Sequence, residues 1–174
     1  MREVRTLRLS PHGRAALRAG QLQESFAALD TANYVVPNYF SLFLDWAITT
    51  QLRHKEMQFS LVMIEFTNAT EVIETHGAAR TFLMLDELSR RLRELLRSSD
   101  MTTRTSETQL WVLLPFGMGA GFAARVERLL QETVPKDGSI GLQARIRVVQ
   151  TPQDLKAQEK ASSLMQRLQA PDEA

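Results

Sequence analysis

The chain contains no cysteine in its 174 residues. That removes disulfides, thiolate metal sites and a thiol nucleophile, and it agrees with a reducing compartment. An excess of charge of one sign is missing too. Lys plus Arg total 21 against 20 for Asp plus Glu, so no general field draws the molecule to nucleic acid or to a membrane surface. No apolar run approaches the roughly 18 residues that a bilayer span needs. The opening MREVRTLRLSPHGRAALRAG lacks the continuous apolar centre of a secretory signal. Internal repeats and low-complexity linkers are also absent. A cytoplasmic protein with no nucleic-acid partner and no membrane insertion is the expectation. What remains is an ordinary globular composition, 44% hydrophobic and 24% charged, at a length that suits one domain with a full core.

Hydrophobic periodicity supplies the elements. Residues 1–10 alternate Val4, Leu7 and Leu9 with arginines, as a short strand or arm does, and Pro11 with Gly13 is expected to break it. Leu17, Leu22, Phe26 and Leu29 recur at helical spacing over 14–29. Five arginines (Arg2, Arg5, Arg8, Arg14, Arg18) make this the most basic segment, best read as a solvated arm and helix face. The run NYFSLFLDWAITTQLRH places Phe40, Phe43, Leu44, Ala47 and Ile48 on one helical stripe, with Trp46 and, later, Trp111 taken as core. FSLVMIEF, residues 59–66, is a strand buried on both faces, with Glu65 near its end. A helical region over 70–97 is interrupted at His76-Gly77. Strands at 101–105 and 109–114 enclose a turn at 106–108. A helix over 118–133 points Phe122, Val126, Leu129 and Leu130 inward. A strand near 141–149 and a helix over 153–169 close the order, and PDEA ends it as a frayed tail. The pattern predicts one α/β (α+β) domain around a central, largely antiparallel sheet.

Chemistry-bearing clusters are scarce. His12, His54 and His76 are far apart and lack metal-ligand spacing. Ser98-Ser99 has no positioned histidine and does not suggest a nucleophile. The informative stretch is RSSDMTTRTSETQLWVLLP, Arg97 to Pro115. Taken alone, Arg97 at a helix C-terminus and Asp100 in the following turn are ordinary choices, and Arg90, Arg91 and Arg93 read as a solvated helix face.

In register, however, the stretch resembles the hairpin of the GGDEF domain of bacterial diguanylate cyclases. Laid without gaps, that family's pattern puts Glu65 at the first metal-binding Asp and Thr67 at the second. Glu74 falls at the Asp of Asn-Asp, and Gly77 at the Gly of Gly-His. Leu85, Leu88 and Leu92 fall on the apolar positions of the long helix. Arg97 and Asp100 match Arg-x-x-Asp, and Arg104 matches the Arg before the motif. Ser106, Glu107, Thr108, Gln109 and Leu110 (SETQL) stand in place of GGDEF, followed by Val112 to Pro115. Upstream, Asp30 and Val36-Pro37-Asn38 resemble a worn Asp-x-Leu-Thr-Gly-Leu-Pro-Asn. The resemblance covers about residues 30–168. It implies a five-stranded, mostly antiparallel sheet flanked by helices. It also divides the chain into an arm and helix (1–29), a degenerate GGDEF-like domain (30–169) and a tail (170–174).

The resemblance also implies what is lost. Joining two GTP molecules requires Mg²⁺ held by carboxylate oxygens, and the motif's acidic pair is replaced by neutral Thr108 and Gln109. Its two glycines, which let backbone turn tightly beside phosphate, are replaced by Ser106 and Glu107. No catalytic residue, no metal site and no cofactor are therefore expected. Arg97 and Asp100 occupy the family's product-inhibition site, where such residues grip a guanine of cyclic di-GMP. The guanidinium can donate to O6 and N7, and the carboxylate can accept from N1 and N2. Arg128 matches a further arginine used there. The leading expectation is an inactive, cyclic di-GMP-binding regulatory domain acting on a protein partner. The alternative is a nucleotide-independent interaction or dimerisation module that works through segment 1–20 or the helix at 36–54, with a homodimer possible. An active cyclase is the reading the missing carboxylates oppose.

Overall fold

The structure, a computed structural model, describes residues 10–31 and 33–171. The expected strand or arm at 1–10 and the end of the tail at 172–174 lie outside the described residues, Ser10 apart. Nine main elements follow in order. They are α1 (Pro11–Phe26), α2 (Pro37–Arg53), β1 (Phe59–Phe66), α3 (Ala69–Leu95), β2 (Met101–Ser106), β3 (Gln109–Pro115), α4 (Gly119–Glu132), β4 (Ala144–Gln150) and α5 (Ala161–Gln169). A short 3-10 turn, Ala27–Thr31, extends α1.

The strands form one sheet in the order β2-β3-β1-β4, antiparallel throughout. Four strands are found among the described residues, where five were expected. The segments on either side of β4 add no further strand. Residues 135–143 carry Pro135, Gly138 and Gly141, and turns occupy residues 151–154 and 157–158.

β1 is central and its side chains alternate between two cores. Val62, Ile64 and Phe66 join Leu110, Val112 and Leu114 of β3 against α3, α4 and the Phe26–Leu29 turn. Phe59, Leu61 and Met63 join Trp111 and Leu113 against α2 and α5. Helices on both faces explain why β1 is almost wholly apolar rather than alternating. The domain is a three-layer sandwich.

Several expectations need correction. The first helix begins at Pro11, earlier than the expected residue 14. Proline suits a first helical position, where no amide hydrogen is needed, and the Ser10 hydroxyl caps it by accepting from Gly13 N–H at 3.1 Å. Leu17 is exposed, and Phe43 and Trp46 of α2 lie outside the core. α5 begins at Ala161 rather than near 153. Asp154 and Glu159 use their carboxylates on the nearby backbone N–H groups of Gln150 and Lys156, which favours turns over helix. The helix start is then fixed by Asp45 of α2, which accepts from Ala161 N–H at 2.8 Å. The interruption in α3 is present as expected: Gly77 sits at φ 78°, ψ 163°, a backbone conformation open to glycine.

Candidate functional site

The β2-β3 hairpin carries the SETQL stretch, residues 106–110. Ser106 pairs with Gln109, so Glu107 and Thr108 form a two-residue loop, and the register shifts between Arg104 and Ser106. Among the described residues only Asn33, Phe116 and Gln158 adopt positive φ without being glycine. The loop therefore closes without any left-handed residue and has no need of the missing glycines. Its Thr108 carbonyl accepts from Phe66 N–H of β1 at 2.9 Å.

Arg104 anchors the hairpin. Its Nε and Nη2 donate to the two carboxylate oxygens of Asp30 at 2.5 and 2.9 Å, and the Arg104 side chain is only 14% exposed. Such a two-pronged, half-buried pair is stronger than an open surface pair. Two residues singled out by register, 74 positions apart, are thus joined.

The corner around Glu65 is filled from within. Glu65 stands opposite Gln109 on β3 and Arg145 on β4. Gln109 Nε2 donates to Glu65 Oε1 at 3.3 Å, and Arg145 Nη1 lies 3.6 Å from Glu65 Oε2. The Gln109 carbonyl in turn accepts from Gln169 at 2.9 Å and Thr105 at 3.2 Å. Glu74 is ion-paired with Arg18 of α1 at 2.7 Å. Thr67 is exposed and brings no carboxylate. No group of three or more His, Asp or Glu suited to a metal ion occurs among the described residues. His76 is spent on the backbone, its Nε2 lying 2.7 Å from the Ile140 carbonyl.

The second corner lies where α3 meets β2. Asp100 is 5% exposed. Its Oδ2 accepts from Arg97 N–H at 2.7 Å, and its own N–H donates to the Arg97 carbonyl at 3.1 Å. One function of Asp100 is therefore to close the turn after α3. Asn33 clamps the same turn, donating to the Arg97 and Asp100 carbonyls at 2.8 and 3.1 Å. Residues 33–35 are held in turn against Thr102 by a parallel bridge.

Above this rigid turn the Arg97 side chain is exposed and makes no hydrogen bond or ion pair with a described residue. Arg97 and Asp100 line a narrow cleft of about 60 Å³ with Leu95, Leu114, Gly117, Met118, Phe122 and Arg125. That volume is far below the ~300 Å³ of an enclosed small-molecule pocket, so a ligand would lie across its mouth. Arg125 is the α4 arginine that lines the cleft. Arg128 lies one turn further along the same exposed face. Sequence reasoning missed Asn33, Arg125 and Arg145. Arg145 had one usable signal, a cation in a strand opposite an end-of-strand carboxylate.

A family model described as "Diguanylate cyclase, GGDEF domain" matches residues 36–169. The GGDEF domain of YfiN (TpbB) from Pseudomonas aeruginosa is 23% identical, with a TM-score of 0.62 over 79% of this chain and 80% of that one. The GGDEF domain of DgcB from Caulobacter crescentus, solved in complex with c-di-GMP, is 12% identical. Its TM-score is 0.59 over 78% of this chain and 81% of that chain. The diguanylate cyclase SiaD from Pseudomonas aeruginosa, solved with its activator SiaC, is 19% identical, with a TM-score of 0.58 over 88% of this chain and 57% of its own. At these identities the likeness is one of fold. No curated protein sequence matches the chain significantly. No helix of the described residues is long and apolar enough to cross a membrane.

Proposed function

The chain belongs to the GGDEF family of diguanylate cyclase domains, and from that premise we propose that it is an inactive member that binds cyclic di-GMP and signals to a protein partner. The observation that carries this reading is the Arg97 guanidinium. It is unpaired among the described residues and stands with a second unpaired arginine, Arg125, beside the Asp100 carboxylate. Arg97 would donate to guanine O6 and N7, Asp100 would accept from the base's N1 and N2 hydrogens, and Arg125, with Arg128 one turn on, would meet phosphate. Met118 would offer the base an apolar edge.

Inactivity is supported by the hairpin corner. Thr108 and Gln109 provide no charged metal ligand. Glu65 and Glu74 are engaged by Arg145 and Arg18, and Glu107 adds negative charge where polyphosphate would have to sit. DgcB is seen with c-di-GMP and SiaD with a protein activator. Both kinds of partner are therefore carried over here as part of the proposal.

Calorimetric titration with cyclic di-GMP tests the receptor. Micromolar or tighter binding is expected, weakened by about 1–3 kcal/mol in Arg97→Ala, the range for a bidentate guanine contact. No heat at high ligand concentration would sink the reading. Incubation with GTP and Mg²⁺ is expected to give no cyclic dinucleotide. A second reading, a module that works by protein contact alone, is favoured by an apolar outer strip on α2. It predicts an empty titration.

A further inference from the structure

α2 carries two apolar stripes instead of one. Phe40, Leu44, Ala47 and Ile48 face the sheet and are buried. Tyr39, Leu42, Phe43 and Trp46, spaced i, i+3, i+4, i+7, form a second stripe with exposures of 61%, 64%, 44% and 58%. Phe116, 64% exposed, extends it, because Trp46 and Phe116 line one narrow cleft with Pro115, Met57 and Gln58.

The stripe is uncharged. Between Pro37 and Leu52 the helix has one side chain charged at neutral pH, Asp45. Asp45 borders the stripe without belonging to it, and its carboxylate accepts from Ala161 N–H of α5. Scattered exposed apolar residues are normal, but a contiguous patch of this size marks an interaction surface.

We infer that this face of α2, completed by Phe116, pairs with the same face of a second copy of the chain. The area argues for it. Aromatic side chains present ~150–250 Å² each, so at these exposures the five residues leave roughly 500 Å² per copy. An isologous pair conceals about twice that, which reaches the ~1,000 Å² a biological interface needs and lies at its weak, reversible end.

The electrostatics argue for the same occupant. A highly charged partner would need complementary charges within the contact, and the stripe's own side chains carry none. A neutral surface meets its own copy without like-charge repulsion. The inference does not depend on nucleotide binding.

Sedimentation velocity from about 1 to 100 µM tests it, that range bracketing the affinity expected of a small interface. A concentration-dependent dimer is expected. Trp46→Glu and Leu42→Lys should each make the protein monomeric while leaving its far-ultraviolet circular dichroism unchanged. Leu52→Glu, at an exposed apolar position outside the stripe, should leave the dimer intact. Acrylamide quenching gives a second measure, since Trp46 is exposed and Trp111 is buried. Quenching should fall as the dimer forms. A monomer at every concentration overturns the inference, and so does a dimer that survives both stripe substitutions.

Discussion

Gln109 donates a hydrogen bond to Glu65 across the β3-β1 pairing, 3.3 Å from Nε2 to Oε1. An amide and a carboxylate thus face each other across the two strands and hold together directly, and Arg145 on β4 supplies the counter-charge.

Gln109→Glu should reverse that balance. Two carboxylates at this distance repel, and Gln109's bonds from Gln169 and Thr105 do not relieve it. A loss of about 1 kcal/mol at neutral pH is expected, recovered in part by millimolar Ca²⁺ or Mg²⁺. Thermal melts with and without cation check it. A variant as stable as the parent, with no cation response, would show that the two side chains do not interact in solution.

The loop leaving β3 makes a sharper test of packing. Ser60, fully buried in β1, accepts from Gly119 N–H at 3.0 Å and donates to the Gly117 carbonyl at 2.8 Å. A Cβ on Gly119 would stand 2.5 Å from Val148 Cγ1 and 2.8 Å from Ser60 Cβ. Gly119→Ala is expected to cost about 2–3 kcal/mol. Gly121, two residues along the same helix, has nothing within 4 Å of its Cβ position. Gly121→Ala should add about 0.5–1 kcal/mol. Equal effects of the two in urea denaturation would refute the crowding at Gly119.

These residues also show where sequence reading reaches its limit. β1 was legible because eight consecutive residues, nearly all apolar, leave no face for solvent. The interruption at Gly77 was legible because glycine marks it. α2 was legible in part: Phe40, Leu44, Ala47 and Ile48 are buried as its stripe predicted, but the periodicity fits a second apolar stripe too, and nothing local says that Phe43 and Trp46 turn out. α5 begins where Asp45, 116 positions earlier, meets Ala161 N–H, a contact no window can contain. The candidate site divides in the same way. Arg97 and Asp100 are three residues apart, so their shared turn can be read locally, whereas the rotation of α4 that brings Arg125 to the cleft depends on tertiary packing. The pairing of Glu65 with Arg145 depends on strand register.

Acid should loosen α5 through Glu159. Hydrogen bonding from Arg167 holds this carboxyl below its ordinary value, partial burial opposes that, and the Lys156 N–H reinforces it. With a depressed folded-state pKa, the stabilisation is complete above about pH 4.5 and is lost as pH falls through the lower folded value. Glu159→Gln should cost about 1–2 kcal/mol at pH 7, and the gap to the parent should narrow below about pH 4. A gap that stays constant down to pH 3 would mean that charge has no part in the contact.

Phe116 allows stability and association to be separated. It is a bulky residue at φ 58°, with its N–H donating to the Gln58 carbonyl at 2.9 Å and its ring exposed. Left-handed backbone costs such a residue about 1–2 kcal/mol, and glycine would remove that strain while returning about 0.5–1 kcal/mol through the entropy of its unfolded chain. Phe116→Gly should therefore leave the domain as stable or up to about 1 kcal/mol more stable. It also deletes an aromatic from the α2 patch, so self-association should weaken about five- to tenfold, equivalent to about 1 kcal/mol. Urea denaturation and sedimentation of the same preparation read the two effects separately. A variant that loses stability and keeps its dimer would show that the ring is held for packing within the chain and not for contact with another copy.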